Sequence, residues 1–219
     1  YNPQTGYGPR VNTSWSQADE YKDSSLGNEP LGCETVAVGQ LMKFHEYPNG
    51  WYWGGMPNDY GTPVTRSFLK SVHQGLLTIG GSSLAVMAKI YLDFQGYHTE
   101  LLSHDKHNVS SSIIGGNPVI SFGLIPGSII GHSWVTCGYK KPAYEEYRYE
   151  LYVVGLDTYP LPELEQIYCD DVGNSLGPEY FYQNWGWGSS YNGWFLENQF
   201  TYGDNFSSSR QDLICYPAL

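Results

Sequence analysis

The 219-residue sequence predicts an α+β fold. Helical spacing dominates the stretch from about residue 31 to 110, and short β-rich runs dominate from about 116 onward. Helices first and antiparallel strands after is the order of an α+β chain, and the length allows residues 1–219 to form a single domain around one buried core.

The elements follow in chain order. The first thirty residues are rich in Gly, Pro, Ser and Asn without a sustained period, which predicts an extended segment running over the surface. From Cys33 to about His45, the residues Val38, Leu41, Met42 and His45 fall at i, i+3, i+4 and i+7, so a helix is expected, ended by Tyr47-Pro48-Asn49-Gly50. Residues 51–64 carry Trp51, Trp53, Gly54, Gly55 and Pro57 and read as an irregular loop, after which Phe68 and Val72 suggest a short helix. A stronger helix is predicted over 82–95, where Leu84, Met87, Ala88, Tyr91 and Leu92 repeat with helical spacing, Ser82 or Ser83 can cap the start and Gly96 can end it. Beyond Pro118 the runs 119–122, 132–139, 147–154, 180–183 and 193–196 read as strands. Residues 158–177, with Pro160, Pro162 and Gly173, read as a long loop between two of them.

Composition narrows the function. Eleven basic against 22 acidic residues leave no basic stripe to follow a phosphate backbone, so no nucleic-acid partner is expected. No stretch approaches the ~18 apolar residues of a membrane span. Charged residues make up 15% and aromatic residues 16%, with 20 Tyr, a profile closer to extracellular than to cytosolic proteins. The four cysteines, Cys33, Cys137, Cys169 and Cys215, are too few and too dispersed for a disulfide framework and lack C-x-x-C spacing. With Cys33 free, at least one of the other three is expected to be a buried free thiol. His98, His104 and His107 lack a helical i, i+4 pair with nearby carboxylates and read as solvated loop histidines, so neither metal nor cofactor is expected.

Three segments carry the chemistry. Leu31-Gly32-Cys33 opens the first predicted helix, where free N–H groups and the helix dipole favour a thiolate. Gly131-His132-Ser133-Trp134-Val135 begins a predicted strand, and Asn184-Trp185-Gly186-Trp187-Gly188 follows later. A Cys–His enzyme needs a thiol that can attack a carbonyl, an imidazole to move the proton, and a third group to orient the ring. Taken singly, Cys33 reads as a buried structural thiol, His132 as a hydrogen-bonded strand residue and the Asn-Trp-Gly segment as a tight turn.

Together these residues resemble the streptopain-like cysteine peptidases. The markers are Trp15-Ser16-Gln17, Gly32-Cys33 leading through Ala37, Gln40, Leu41, Met42, Phe44 and His45 to Tyr47-Pro48, Asn117-Pro118-Val119-Ile120, Gly131 to Val135 with Gly138-Tyr139, and Asn184 to Gly188 followed by Gly193. The resemblance implies a papain-like fold and a bacterial enzyme made as a secreted zymogen, located outside the cell, at its surface or in the periplasm. It implies a protein or peptide substrate and an N-terminal propeptide or inhibitor. It makes Cys33 the nucleophile, His132 the general base and acid, and Gln17 a donor to the oxyanion beside the Cys33 N–H. Asn184 and Trp185 would orient or shield the imidazole, and Trp187, Gly131 and Gly186 would line the substrate cleft. Departures from that pattern are Glu34, where an apolar residue is commoner, Cys137, where an acidic one is common, and a longer stretch between His132 and Asn184. A nearby carboxylate raises a thiol pKa, so a weak enzyme or an inactive peptide-binding relative is the first alternative. A carbohydrate-binding domain using exposed Trp51, Trp53 and Trp187 is the second.

Overall fold

The computed structural model of the chain describes residues 5–80, 83–141, 178–197, 201–202 and 204–218. The strand expected at 147–154, the loop expected at 158–177 and Cys169 lie outside the described residues. The elements in order are β1 (Thr5–Tyr7), α1 (Cys33–His45), α2 (Pro63–Ile79), α3 (Leu84–Phe94), β2 (Tyr97–Ser103), α4 (Lys106–Ile114), β3 (Val119–Leu124), β4 (Gly131–Lys141), β5 (Tyr180–Asn184), β6 (Gly193–Leu196), β7 (Thr201–Tyr202), β8 (Asp204–Asn205) and β9 (Ser208–Pro217).

Local chemistry explains the helices. Gly32 caps α1 with φ 79°, a conformation that glycine reaches without a Cβ clash. Inside α1, Val36, Ala37, Val38, Leu41 and Met42 are all buried, so this helix is wrapped on most sides rather than laid on a surface. Gly39 makes that possible: a Cβ there would come within 2.5 Å of Leu69 Cδ2 on α2. In α2, Thr62 accepts from the Thr65 N–H at 3.1 Å and Pro63 fills the first turn. The helix suggested by Phe68 and Val72 is therefore 17 residues long. Ser83 precedes α3 and Gly96, at φ 84°, follows its end.

One antiparallel sheet runs β2-β9-β3-β4-β5-β6, and β1 adds to β4. The pair β7-β8 forms a separate small ribbon. Alternation along the central strands sorts the side chains into two faces. Ile120, Val135, Cys137, Leu213 and Cys215 join the cluster built on α1, α2 and α3. On the opposite face Val119 packs with Val109 and Ile113 of α4, while Trp134 packs with Trp185 and Phe206. Cys137 and Cys215 are buried free thiols, a state expected of at least one of the cysteines other than Cys33.

The N-terminal thirty residues do not simply cross the surface. Val11, Thr13, Trp15 and Tyr21 are buried, and Trp15 Nε1 donates to the Pro57 carbonyl at 2.8 Å. Large aromatic area removed from water outweighs the lack of a regular period in this segment.

Candidate active site

Cys33 is the first residue of α1, so its backbone N–H has no partner inside the helix. The turn before it is fixed from α2: His73, buried, donates from Nδ1 to the Leu31 carbonyl at 3.0 Å, with Thr35 Oγ1 at 3.4 Å from the same nitrogen. The Cys33 side chain stays partly accessible. Desolvation pushes its thiol pKa up, hydrogen bonding from Ser133 opposes that rise, and the Glu34 charge adds to it. Ser133 is the β4 neighbour of His132, so the fold brings the start of α1 to the start of β4.

His132 is buried, and its Nε2 donates to the Trp185 carbonyl at 2.9 Å. A neutral imidazole with its proton on Nε2 keeps a basic lone pair on Nδ1. Desolvation lowers the His132 pKa from 6.5 to about 4, with the Trp185 carbonyl pulling the other way. Around the imidazole stand Trp187 at 4.6 Å, Phe206 at 5.2 Å, Trp185 at 6.0 Å and Trp134 at 6.2 Å, ring centre to ring centre.

The Trp185 carbonyl points at His132 because amide side chains hold its turn. Asn184 Nδ2 donates to the Thr13 carbonyl at 2.6 Å, while Asn184 Oδ1 accepts from Gln40 Nε2 and from the Gly186 N–H, each at 3.3 Å. Gln40 Oε1 accepts from the Thr13 hydroxyl at 2.9 Å, tying α1 to the same knot. Asn192 completes it, accepting from the Trp185 N–H at 2.9 Å and donating to the Gly188 carbonyl at 3.2 Å. Asn184 therefore orients the turn, and the Trp185 backbone orients the ring. Gly186 is buried at φ 72°, against Val36 of α1. Gly131 stands at the start of β4, one residue before His132. Gln17 is half-buried and next to Ser16, which bridges to Trp187. That bridge brings the Gln17 segment to the aromatic wall of His132.

The architecture has solved counterparts. Interpain A of Prevotella intermedia, a cysteine protease, superposes with a TM-score of 0.63 at 15% identity, covering 95% of this chain and 94% of that one. A prointerpain A fragment from the same organism gives a TM-score of 0.57 at 15% identity, over 95% of this chain and 71% of that one. The fold is that of a papain-like cysteine protease. No protein-family model and no curated protein sequence matches the chain.

Within this papain-like frame several sequence expectations change. Trp53 is buried and Trp51 half-buried, each packed in an edge-to-face arrangement on Phe68 with ring centres 5.1 Å apart, so they fill the core instead of offering a sugar platform. His104 is not a solvated loop residue: its Nδ1 lies 2.6 Å from Asp212 Oδ2. His98 sits on β2 and His107 on α4, both exposed. Among the described residues no group of three His, Cys, Asp or Glu side chains is arranged for a metal ion, and no single helix is long and apolar enough to cross a membrane. Four residues near the site had no role assigned from the sequence: Gln40, His73, Asn192 and Phe206. Only Gln40 had drawn notice, as a marker without a role; the others become site residues through contacts that no local spacing encodes.

Proposed function

We propose that the chain is a secreted cysteine endopeptidase. The single observation that carries this reading is the buried His132 ring, held by the Trp185 carbonyl through Nε2, beside the strand residue that hydrogen-bonds the Cys33 thiol. In the proposed reaction, His132 Nδ1 takes the Cys33 proton as the sulfur attacks a peptide carbonyl. The oxyanion is received by the Cys33 N–H and the Gln17 side chain, donors placed where charge develops. His132 then returns the proton to the leaving amine, and water hydrolyses the thioester on Cys33 by the reverse transfers. Gly131, Gly186 and Trp187 line the cleft in this reading. The prointerpain A likeness supports a propeptide that blocks the cleft before maturation, and the sparse charge and abundant tyrosine support a location outside the cytoplasm.

The test is proteolysis of an unfolded protein substrate under reducing conditions, with cleavage sites mapped by mass spectrometry. Cleavage by the wild-type chain that falls at least about a thousandfold in Cys33→Ala is expected. Cleavage that survives Cys33→Ala, or none by a folded and reduced wild type, contradicts the proposal. In the second case the peptide-binding relative is favoured.

A further inference from the structure

A line of polar side chains crosses the sheet on the face away from α1 and ends on the wall of His132. It starts at His104, whose side chain is 17% exposed, with Nδ1 2.6 Å from Asp212 Oδ2. Asp212 Oδ1 accepts from Ser121 Oγ at 2.8 Å, and the Ser121 and Thr136 hydroxyl oxygens are 2.8 Å apart. Thr136 Oγ1 donates to Gln183 Oε1 at 2.7 Å, and Trp134 Nε1 donates to the same oxygen at 2.8 Å. The Trp134 indole then lies nearly parallel to the His132 ring, 12° between planes. Asp212, Ser121, Thr136, Gln183 and Trp134 are between 0 and 2% exposed. Arg210, two residues along β9, interacts electrostatically with Asp212 and with Glu197.

The register explains how four strands contribute. Asp212 of β9 pairs with Ser121 of β3, Ser121 with Trp134 of β4, and Thr136 of β4 with Gln183 of β5, so all these side chains share one face. Apolar side chains would fill this space without the desolvation that a buried carboxyl, amide and two hydroxyls incur. The bonds that Thr136 and Trp134 both donate to Gln183 Oε1 instead restrict the orientation of each of these three, because every alternative leaves a buried group unpaired.

We propose that Thr136 and Gln183 are positioning residues that lock the Trp134 indole, and through its stacked face the His132 imidazole. The inference rests on His132 being the base proposed above. Trp134 has a large flat ring and one donor; with Nε1 held by Gln183, the ring cannot rotate about its long axis, and the imidazole keeps a fixed back wall. Small displacements of a reacting ring have large rate effects, which is where the line acts.

The test compares Thr136→Val, Thr136→Ser, Gln183→Leu and, as a remote core control, Leu92→Ala. Two quantities are measured: the rate constant for Cys33 modification by an epoxide inhibitor, resolved into binding and reaction terms, and the NMR shifts of the His132 ring protons. Thr136→Val and Gln183→Leu are expected to lower the reaction term about tenfold with the binding term unchanged, and to move the ring shifts. Thr136→Ser, which keeps the hydroxyl, is expected to stay within about twofold of wild type, and Leu92→Ala to lose stability without moving the shifts. Unchanged reaction terms and shifts in folded Thr136→Val and Gln183→Leu overturn the proposal; if Gln183→Leu does not fold, Thr136→Val alone decides. A wild type that is never modified, with shifts that still move in these two variants, overturns the base role of His132 and leaves the positioning of its ring established.

Discussion

Glu34 places a buried carboxyl one residue beyond the candidate nucleophile. Desolvation raises its pKa from 4.5 to about 8, and the Ala88 backbone only partly offsets this. At neutral pH the neutral form therefore dominates, and the helix start carries no full negative charge from this side chain. As pH climbs toward 8 the carboxylate forms and adds to the forces that raise the Cys33 thiol pKa. In Glu34→Gln that added repulsion is absent. The pH profile of Cys33 alkylation by iodoacetamide should move to lower pH, with the largest gain in rate at pH 8 and above. A profile that coincides with wild type would show that the carboxyl does not act on the thiol.

At the scale of elements, the site depends on how closely α1 meets the turn after β5. Gly186 has φ 72°, and a Cβ there would approach Val36 Cγ1 at 3.1 Å. Left-handed backbone with a side chain carries about 1–2 kcal/mol of strain. Gly186→Ala should lose about that much stability in urea denaturation and slow Cys33 modification as well, because the same turn aims the Trp185 carbonyl. A variant as stable and as reactive as wild type would mean that the turn has slack. This element also shows what the sequence could and could not reveal. Helix α1 was readable from Val38, Leu41, Met42 and His45, and β3 to β6 began and ended close to where β-rich runs suggested, with β4 longer by one residue at its start and two at its end. Strand β2, helix α4 and strand β9 were not anticipated. Helix α4 carries Ser110, Ser111 and Ser112 and only two buried apolar residues, a pattern that composition alone assigns to loop. In β9, Asp212 interrupts the apolar run, and its burial makes sense only once Ser121 of β3 and His104, just past the end of β2, arrive beside it. Cys33 and His132 were legible as residue types. Trp185 was legible as a residue that orients or shields His132, but the contact made by its backbone carbonyl was not.

For the whole molecule, three buried titrating groups shape stability against pH. His132 and His45 are both lowered from 6.5 to about 4, chiefly by desolvation. Between pH 4 and 6.5 the unfolded chain binds those two protons while the folded chain does not, so each group makes stability rise with pH. Glu34, raised from 4.5 to about 8, has the opposite sign: between those values the folded chain holds a proton that the unfolded one releases, and stability falls by about 1.4 kcal/mol per pH unit. Two rising contributions against one falling give a net rise up to about pH 6.5 and a net fall beyond it. Thermal melts from pH 4 to 9 should show a maximum near pH 6.5, and Glu34→Gln should flatten the alkaline side. A wild-type melting temperature that keeps rising through pH 8 would contradict this balance.

The central claim is that Cys33 and His132 act as one chemical unit on this fold. Its most direct test is intact-mass and peptide mapping of the purified, reduced protein after incubation with an epoxide inhibitor of cysteine proteases, alongside Cys33→Ala and His132→Ala. A single added inhibitor mass on Cys33 in the wild type, absent from Cys33→Ala and strongly reduced in folded His132→Ala, is the predicted result. Modification that spreads over Cys33, Cys137 and Cys215 alike, or that proceeds equally well without the His132 ring, would contradict it.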